Sequence, residues 1–285
     1  MKFVYVLVSE ETDFYLEQTL LSIHSLRMYH PNCHVALVTD KNTYLRIKSD
    51  GSIITSMLDE IITIELSENL SLHQKSRYLK TSLRLIIDGN FLFMDSDTVI
   101  LENLDKLGNN IYDIAVALRQ DSYNWNKNNI HRHMMQYNNA RKVLENKNYN
   151  VQYYFNSGVI FCKDNNKTRD FYQLWHNLWK ESSLKFGYHQ DQIDLCRANS
   201  EKNNILGILD GRYNCQIIYP NISLNYLKEC KIFHYFSTSS SYNYLRIKQP
   251  GYLKKIRSNG ITRETEQMLK NIREEYLEGF EILEK

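Results

Sequence analysis

Two aspartates one residue apart, Asp95 and Asp97, follow the apolar run Phe91-Leu92-Phe93-Met94 and precede Thr98-Val99-Ile100. Carboxylates at i and i+2 of an extended chain point the same way and could share one hard cation. With water and phosphate oxygens filling the shell, they suit Mg2+ or Mn2+ better than a soft metal. A plainer reading is that Asp-Ser-Asp is a polar turn closing a strand, because both residue types favour turns. Other stretches could also do chemistry. In Phe155-Asn156-Ser157-Gly158, Asn156 offers hydroxyls both a donor and an acceptor, and Gly158 admits close backbone approach. Gln190-Asp191-Gln192 is either a helix cap or part of a site. His234 interrupts the run Lys231–Phe236, where most lone histidines are satisfied by a neighbour. Arg77, Lys80 and Arg84 lie at helical spacing, as a solvated face or as cations for a diphosphate beside the metal.

These residues need elements to hold them. Four large apolar residues before Asp95 read as a strand buried on both faces, the habit of parallel sheets, whose ligands gather at the carboxyl edge. Phe3–Val8 is the first strand, and Leu16, Leu20, Ile23 and Leu26 place a helix behind it. His34–Val38, ending at Thr39-Asp40, completes a βαβ unit. Ile61–Leu66 gives a third strand, Lys75–Ile87 a helix leading to Asp95, and Ile114–Leu118 another strand. A turn carrying Asn156, Ser157 and Gly158 then enters an apolar strand. Thr168 caps a helix whose Phe171, Leu174, Trp175 and Leu178 are core. The final helix starts at Thr262. Its face of Met268, Leu269, Ile272, Tyr276, Leu277 and Phe280 either docks on the domain or lies on a partner or membrane surface.

Composition narrows the class. With 285 residues, 42% of them hydrophobic, the chain can build one large α/β domain or two small ones. A net charge of +2 argues against a nucleic-acid partner. Five scattered cysteines with no Cys-x-x-Cys pair point to reduced thiols in a cytoplasmic protein. No apolar run reaches the roughly 18 residues a membrane span needs. A dinucleotide fingerprint and a Walker loop are both missing. Ser9-Glu10-Glu11-Thr12-Asp13, acidic and without glycine, counts against a sugar-phosphate nucleotidyltransferase. Residues 119–150 form a polar, asparagine-rich insertion on the acceptor side, in which His131 and His133 are expected to be merely exposed.

The order of these pieces resembles the family 8 glycosyltransferases, the group containing glycogenin and bacterial lipopolysaccharide hexosyltransferases. The shared pieces are Asp95-Ser96-Asp97 after a strand, Phe155-Asn156-Ser157-Gly158, Asp191-Gln192 at a helix start, and His234 after an apolar run. They span Phe3 to Phe236. The resemblance implies an α/β GT-A fold: a Rossmann-like mixed sheet flanked by helices over residues 1–250, with a helical extension over 251–285. It implies a retaining hexosyltransferase that uses Mn2+ (or Mg2+) and a UDP-sugar donor to build a glycan or glycolipid, as in cell-surface polysaccharide assembly, in the cytoplasm or at the inner face of the membrane. By the same resemblance Asp95, Asp97 and His234 hold the metal. Val8 and Ser9 cradle the uracil and Tyr15 stacks on it, while Arg77 or Lys80, with Ser96 and Ser157, contacts the donor. Asn156, Asp191 and Gln192 hold the donor sugar. Family members usually follow the late histidine with Lys-Pro-Trp; here the chain reads Phe236-Ser237-Thr238-Ser239-Ser240-Ser241, so Lys248 takes over that grip or the donor is held differently. The alternatives are a non-catalytic nucleotide-sugar or glycan-binding protein, or an inverting transferase of a neighbouring Asp-x-Asp family.

Overall fold

A computed structural model describes residues 1–49, 52–119, 153–217, 226–237 and 243–283. The expected insertion therefore lies, apart from Arg119, outside the described residues. Strand β1 (Lys2–Leu7), helix α1 (Tyr15–Tyr29) and strand β2 (His34–Asp40) form the βαβ unit, with β1 and β2 parallel from Lys2↔His34 to Leu7↔Thr39. Helix α2 (Lys41–Ser49) returns the chain to β3 (Glu60–Ile64), parallel to β2. Next come α3 (Leu72–Thr81), α4 (Leu83–Ile86) and β4 (Phe91–Met94), which lies parallel to β1 on its other side.

After the two aspartates, β5 (Thr98–Ile100) leaves the main sheet, and β6 (Ile114–Leu118) and β7 (Phe155–Cys162) rejoin it. Helices α5 (Asn166–Phe186) and α6 (Gln192–Glu201) and strand β8 (Gly207–Leu209) complete the main layer. Its seven strands run in the order β3-β2-β1-β4-β7-β6-β8, with β7 antiparallel to both of its neighbours, so the sheet is mixed. A second sheet is built from β9 (Cys215–Gln216), β10 (Ile232–His234) and β5, in the order β5-β10-β9. Strand alternation divides the apolar residues of the main sheet between two cores. Phe3, Tyr5, Leu92, Met94 and Phe161 face α1, while Val4, Val6, Phe91, Phe93 and Ile160 face α3, α5 and α6.

Local chemistry moved several expected boundaries. A capping box between Ser71 and Gln74 starts α3 before Lys75, and a break at Ser82 separates it from α4. Asn165, not Thr168, caps α5; Thr168 supplies the reciprocal third position of that box. Asn156, Ser157 and Gly158 lie inside β7 rather than in a turn before it. Helix α7 (Pro250–Asn259), with proline in its first turn, precedes the expected C-terminal helix. Thr262 caps α8 (Arg263–Lys270) as expected, but Asn271 divides that segment from α9 (Ile272–Leu283). Leu253, Ile256, Met268, Leu269, Ile272 and Tyr276 are all buried in the core that contains α1, so this segment docks on the domain. No described helix is long and apolar enough to cross a membrane.

Candidate active site

The aspartates lie at the carboxyl end of β4, where the chain leaves one sheet for the other. They converge through a turn at Ser96-Asp97 rather than by strand alternation. The polar-turn reading is thus correct for the backbone, and the turn is fixed at each residue. The Asp95 N–H donates to Gly158 O at 2.8 Å, the Thr98 hydroxyl donates to Asp95 O at 2.8 Å, and Tyr235 N–H donates to Asp97 O at 3.1 Å. From α1, Thr19 donates to the Ser96 hydroxyl at 2.8 Å, Ser22 pairs with Thr98 at 2.8 Å, and Ser25 accepts the Ile100 N–H at 2.9 Å. Buried hydroxyls at α1 positions three apart thereby hold positions two apart along the turn and β5, a ladder that the sequence reading missed. Its signal was Thr19, Ser22 and Ser25 at helical spacing among buried leucines and isoleucines.

Ligand atoms of Asp95, Asp97 and His234 all lie within 4.8 Å of one another. His234 Nε2 is 3.2 Å from Asp97 Oδ1, and Ser237 donates its N–H to Asp97 Oδ2 at 2.9 Å and its hydroxyl at 3.2 Å. Burial raises the Asp97 carboxyl, but His234 and Ser237 outweigh it and hold the group well below the ordinary carboxylate range. Phe236 stacks on the imidazole, with ring centroids 4.0 Å apart, from a left-handed backbone at φ 49° that bulky side chains rarely adopt. Two carboxylates and an imidazole, converging beside a strongly ionised Asp97, fit a divalent ion of the Mn2+ or Mg2+ type. The absence of a side chain at Gly158 is what admits the histidine, since a Cβ there would lie 2.4 Å from His234 Cε1.

Next to this group is a network of opposite charges. Lys80 Nζ lies 3.0 Å from Asp95 Oδ1 and 3.5 Å from Asp191 Oδ2, while Arg77 Nε is 3.2 Å from Asp191 Oδ1. Ser157 donates to Asp191 Oδ2 at 2.7 Å. Burial alone would raise the Asp191 carboxyl, but Lys80, Arg77 and Ser157 bring it down to about 2. Asp191 sits at the N-cap position of α6 without making a capping hydrogen bond, so the capping explanation fails. Trp175 Nε1 donates to Asp191 O at 3.0 Å and Trp179 Nε1 donates to His189 O at 3.1 Å, which lets the core stripe of α5 also fix this corner. The solvated-face reading of α3 fails as well, because the Lys80 side chain is only 2% exposed and lies over the Phe93 ring. Arg84, fully buried, binds Gly89 O and Asp164 instead and is a structural staple.

These residues share one cleft of about 660 Å3. Its walls bring together Val8, Tyr15, Arg77, Lys80, Asp95, Ser96, Asp97, Asn156, Ser157, Asp191, Gln192 and His234. Ser9 is not among them: it is buried behind the wall, donating its N–H to Thr43 and its hydroxyl to Asp13. Lys248 does not line the cleft either; burial lowers its amine to about 8, with the Asp97 charge acting in the opposite direction. Asn214, which the sequence reading missed, touches both His234 and Asn156 from a short helical turn, Gly211–Asn214. Nothing in its sequence neighbourhood marks it.

The cleft can now be set beside known proteins. A family model described as nucleotide-diphospho-sugar transferase matches residues 32–249. No curated protein matches the chain. The galactosyltransferase LgtC, solved with donor and acceptor sugar analogues, superposes with a TM-score of 0.58 at 13% identity over 94% of this chain and 100% of its own. Mouse xyloside xylosyltransferase 1 gives 0.55 at 12% identity over 83% of this chain and 98% of its own. GlyE of Streptococcus pneumoniae TIGR4 gives 0.54 at 14% identity, over 90% of this chain and 63% of GlyE. Identities this low establish the shared architecture and nothing finer.

Proposed function

Since the chain belongs to the nucleotide-diphospho-sugar transferase family and is a glycosyltransferase of GT-A fold, we propose that it moves a hexose from a UDP-sugar to a glycan or lipid-linked acceptor, with a divalent metal and with retention of configuration. The observation that carries this reading is the convergence of Asp95, Asp97 and His234 beside the Lys80–Asp191–Arg77 network in one cleft.

Each residue then has a task. Tyr15, 37% exposed at the start of α1, offers a face for the uracil, and Val8 closes that end of the cleft. Asp95, Asp97 and His234 would hold a Mn2+ or Mg2+ ion, which when bound would supply a Lewis acid to offset charge on the diphosphate. Lys80 and Arg77 bring two further positive charges to the leaving group. Asn156 commits its Oδ1 to Gly158 N–H and Asn214, which leaves its Nδ2 for a sugar hydroxyl. Gln192 provides another amide on the same wall. The ionised Asp191 carboxylate faces the anomeric carbon, where it stabilises oxocarbenium character while the acceptor oxygen attacks from the leaving-group side.

A panel of UDP-sugars incubated with Mn2+, with and without chelator, tests the proposal through release of UDP. Release of UDP from one donor, abolished by chelation, is expected. If thermal shift shows a donor bound but no UDP appears with any sugar acceptor, the protein is a binder and not a transferase.

A further inference from the structure

We infer that Asn214 is a positioning residue that fixes the proton-bearing nitrogen of His234 and ties the metal group to the donor-sugar group through one chain of amides. The inference rests on the metal-dependent reading above and begins from a backbone donor. Gly158 N–H can only donate, and it lies 2.9 Å from Asn156 Oδ1, so the orientation of the Asn156 amide is set. Asn214 Nδ2 donates to that same oxygen at 2.9 Å, which sets the second amide. Asn214 Oδ1 is then the atom 2.9 Å from His234 Nδ1, and an amide oxygen can only accept. The Nδ1 nitrogen must therefore carry a proton, and Nε2 is left to face Asp97. A cation held between Nε2 and Asp97 would take the place of the proton that Nε2 otherwise offers that carboxylate, with Nδ1–H still bound to Asn214, which is the arrangement a metal ligand requires.

All members of the chain are enclosed: Asn156, Asn214 and His234 are at most 2% exposed. Water cannot readily replace a lost partner there, and each amide end has a single assignment. Asn214 touches neither the ion nor the sugar; it acts on both through its neighbours.

Two variants separate these roles. Asn214→Leu removes the hydrogen bonds to Asn156 and His234 at similar volume, whereas Asn214→Asp keeps an acceptor for Nδ1–H but opposes Asn156 Oδ1 with a second acceptor. Binding of Mn2+ alone, followed by electron paramagnetic resonance, is expected to weaken about 10- to 100-fold in Asn214→Leu. Asn214→Asp should bind Mn2+ nearly as wild type does while the Michaelis constant for the donor rises. Nitrogen-15 and proton spectra of the His234 ring in metal-free protein, assigned by comparison with His234→Gln, should show a hydrogen-bonded, slowly exchanging proton on Nδ1 in wild type and Asn214→Asp but not in Asn214→Leu. Absence of that Nδ1 proton in wild type would overturn the inference, as would unchanged Mn2+ affinity in Asn214→Leu. If wild type binds no Mn2+, the metal-dependent reading fails, and the ring spectra still decide the placement of the proton. Should Asn214→Leu fail to fold, the ring spectra of wild type and Asn214→Asp decide alone.

Discussion

Asp191 and Asp194 begin the same helix three residues apart, both buried and both paired with arginine, yet they have opposite chemistry. Asp191 meets two cations and a hydroxyl at the wall of the cleft, and its carboxyl is brought down to about 2. Asp194 meets Arg197 at 2.7 Å and the Ser182 hydroxyl at 2.9 Å, both through Oδ1, while its Oδ2 is buried without a hydrogen-bond partner among the described residues. Burial therefore dominates there and pushes Asp194 up to about 6, with Arg197 and Ser182 opposing it. A buried carboxylate is held low when the number and placement of its partners exceed the cost of removing it from water; one cation and one hydroxyl on a single oxygen are not enough. The site cluster stores charge for a ligand, and the scaffold cluster joins α5 to α6.

The largest expected effect comes from breaking the site member of the pair. Asp191→Asn should lower sugar transfer about 1000-fold, roughly 4 kcal/mol of barrier, with a much smaller change in melting temperature, and unchanged turnover would remove Asp191 from the mechanism. Breaking the scaffold member reverses the pattern. Arg197→Met leaves the Asp194 carboxylate unpaired inside the core and should cost about 3 kcal/mol in urea unfolding, while activity per folded molecule is kept. Lys80→Met should reduce transfer about 100-fold, because it removes a preorganised charge shared by Asp95 and Asp191. The smallest effect sharpens the electrostatic difference. A carboxyl raised from 3.8 to about 6 holds its proton more firmly when folded, so its contribution to stability is present at low pH and is lost as pH rises to about 6. The stability of Asp194→Asn relative to wild type should thus increase from pH 4 to pH 6, measured by thermal melts across that window; a flat difference would place the Asp194 carboxyl in the ordinary range.

Much of this arrangement could be read from local patterns. Continuous apolar runs gave β1, β2, β4 and β6 and apolar residues near every fourth position gave α1, because burial on both faces or on one face imposes those patterns directly. Asp95 and Asp97 were legible from residue type and spacing, whereas His234 came only with the family resemblance; the structure places the ligand atoms of all three within 4.8 Å of one another. Boundaries set by side-chain caps were misplaced, as at Ser71 and Asn165, because several nearby serines, asparagines and threonines compete for each cap. The antiparallel setting of β7 could not be read from its own residues, since a strand covered on both faces has the same composition in either direction. Asn214 was invisible for another reason: its work lies in contacts to residues 20 and 58 positions away.

The second sheet gives the far end of the chain a stake in the cleft. His234 ends β10, and the residue before it, Phe233, meets the Tyr276 ring of α9 edge-on at 6.0 Å. The last helix, none of whose described residues lines the cleft, thus packs behind the strand that carries the imidazole, and slack in that distant packing would be felt as a shift of His234 against Asp97.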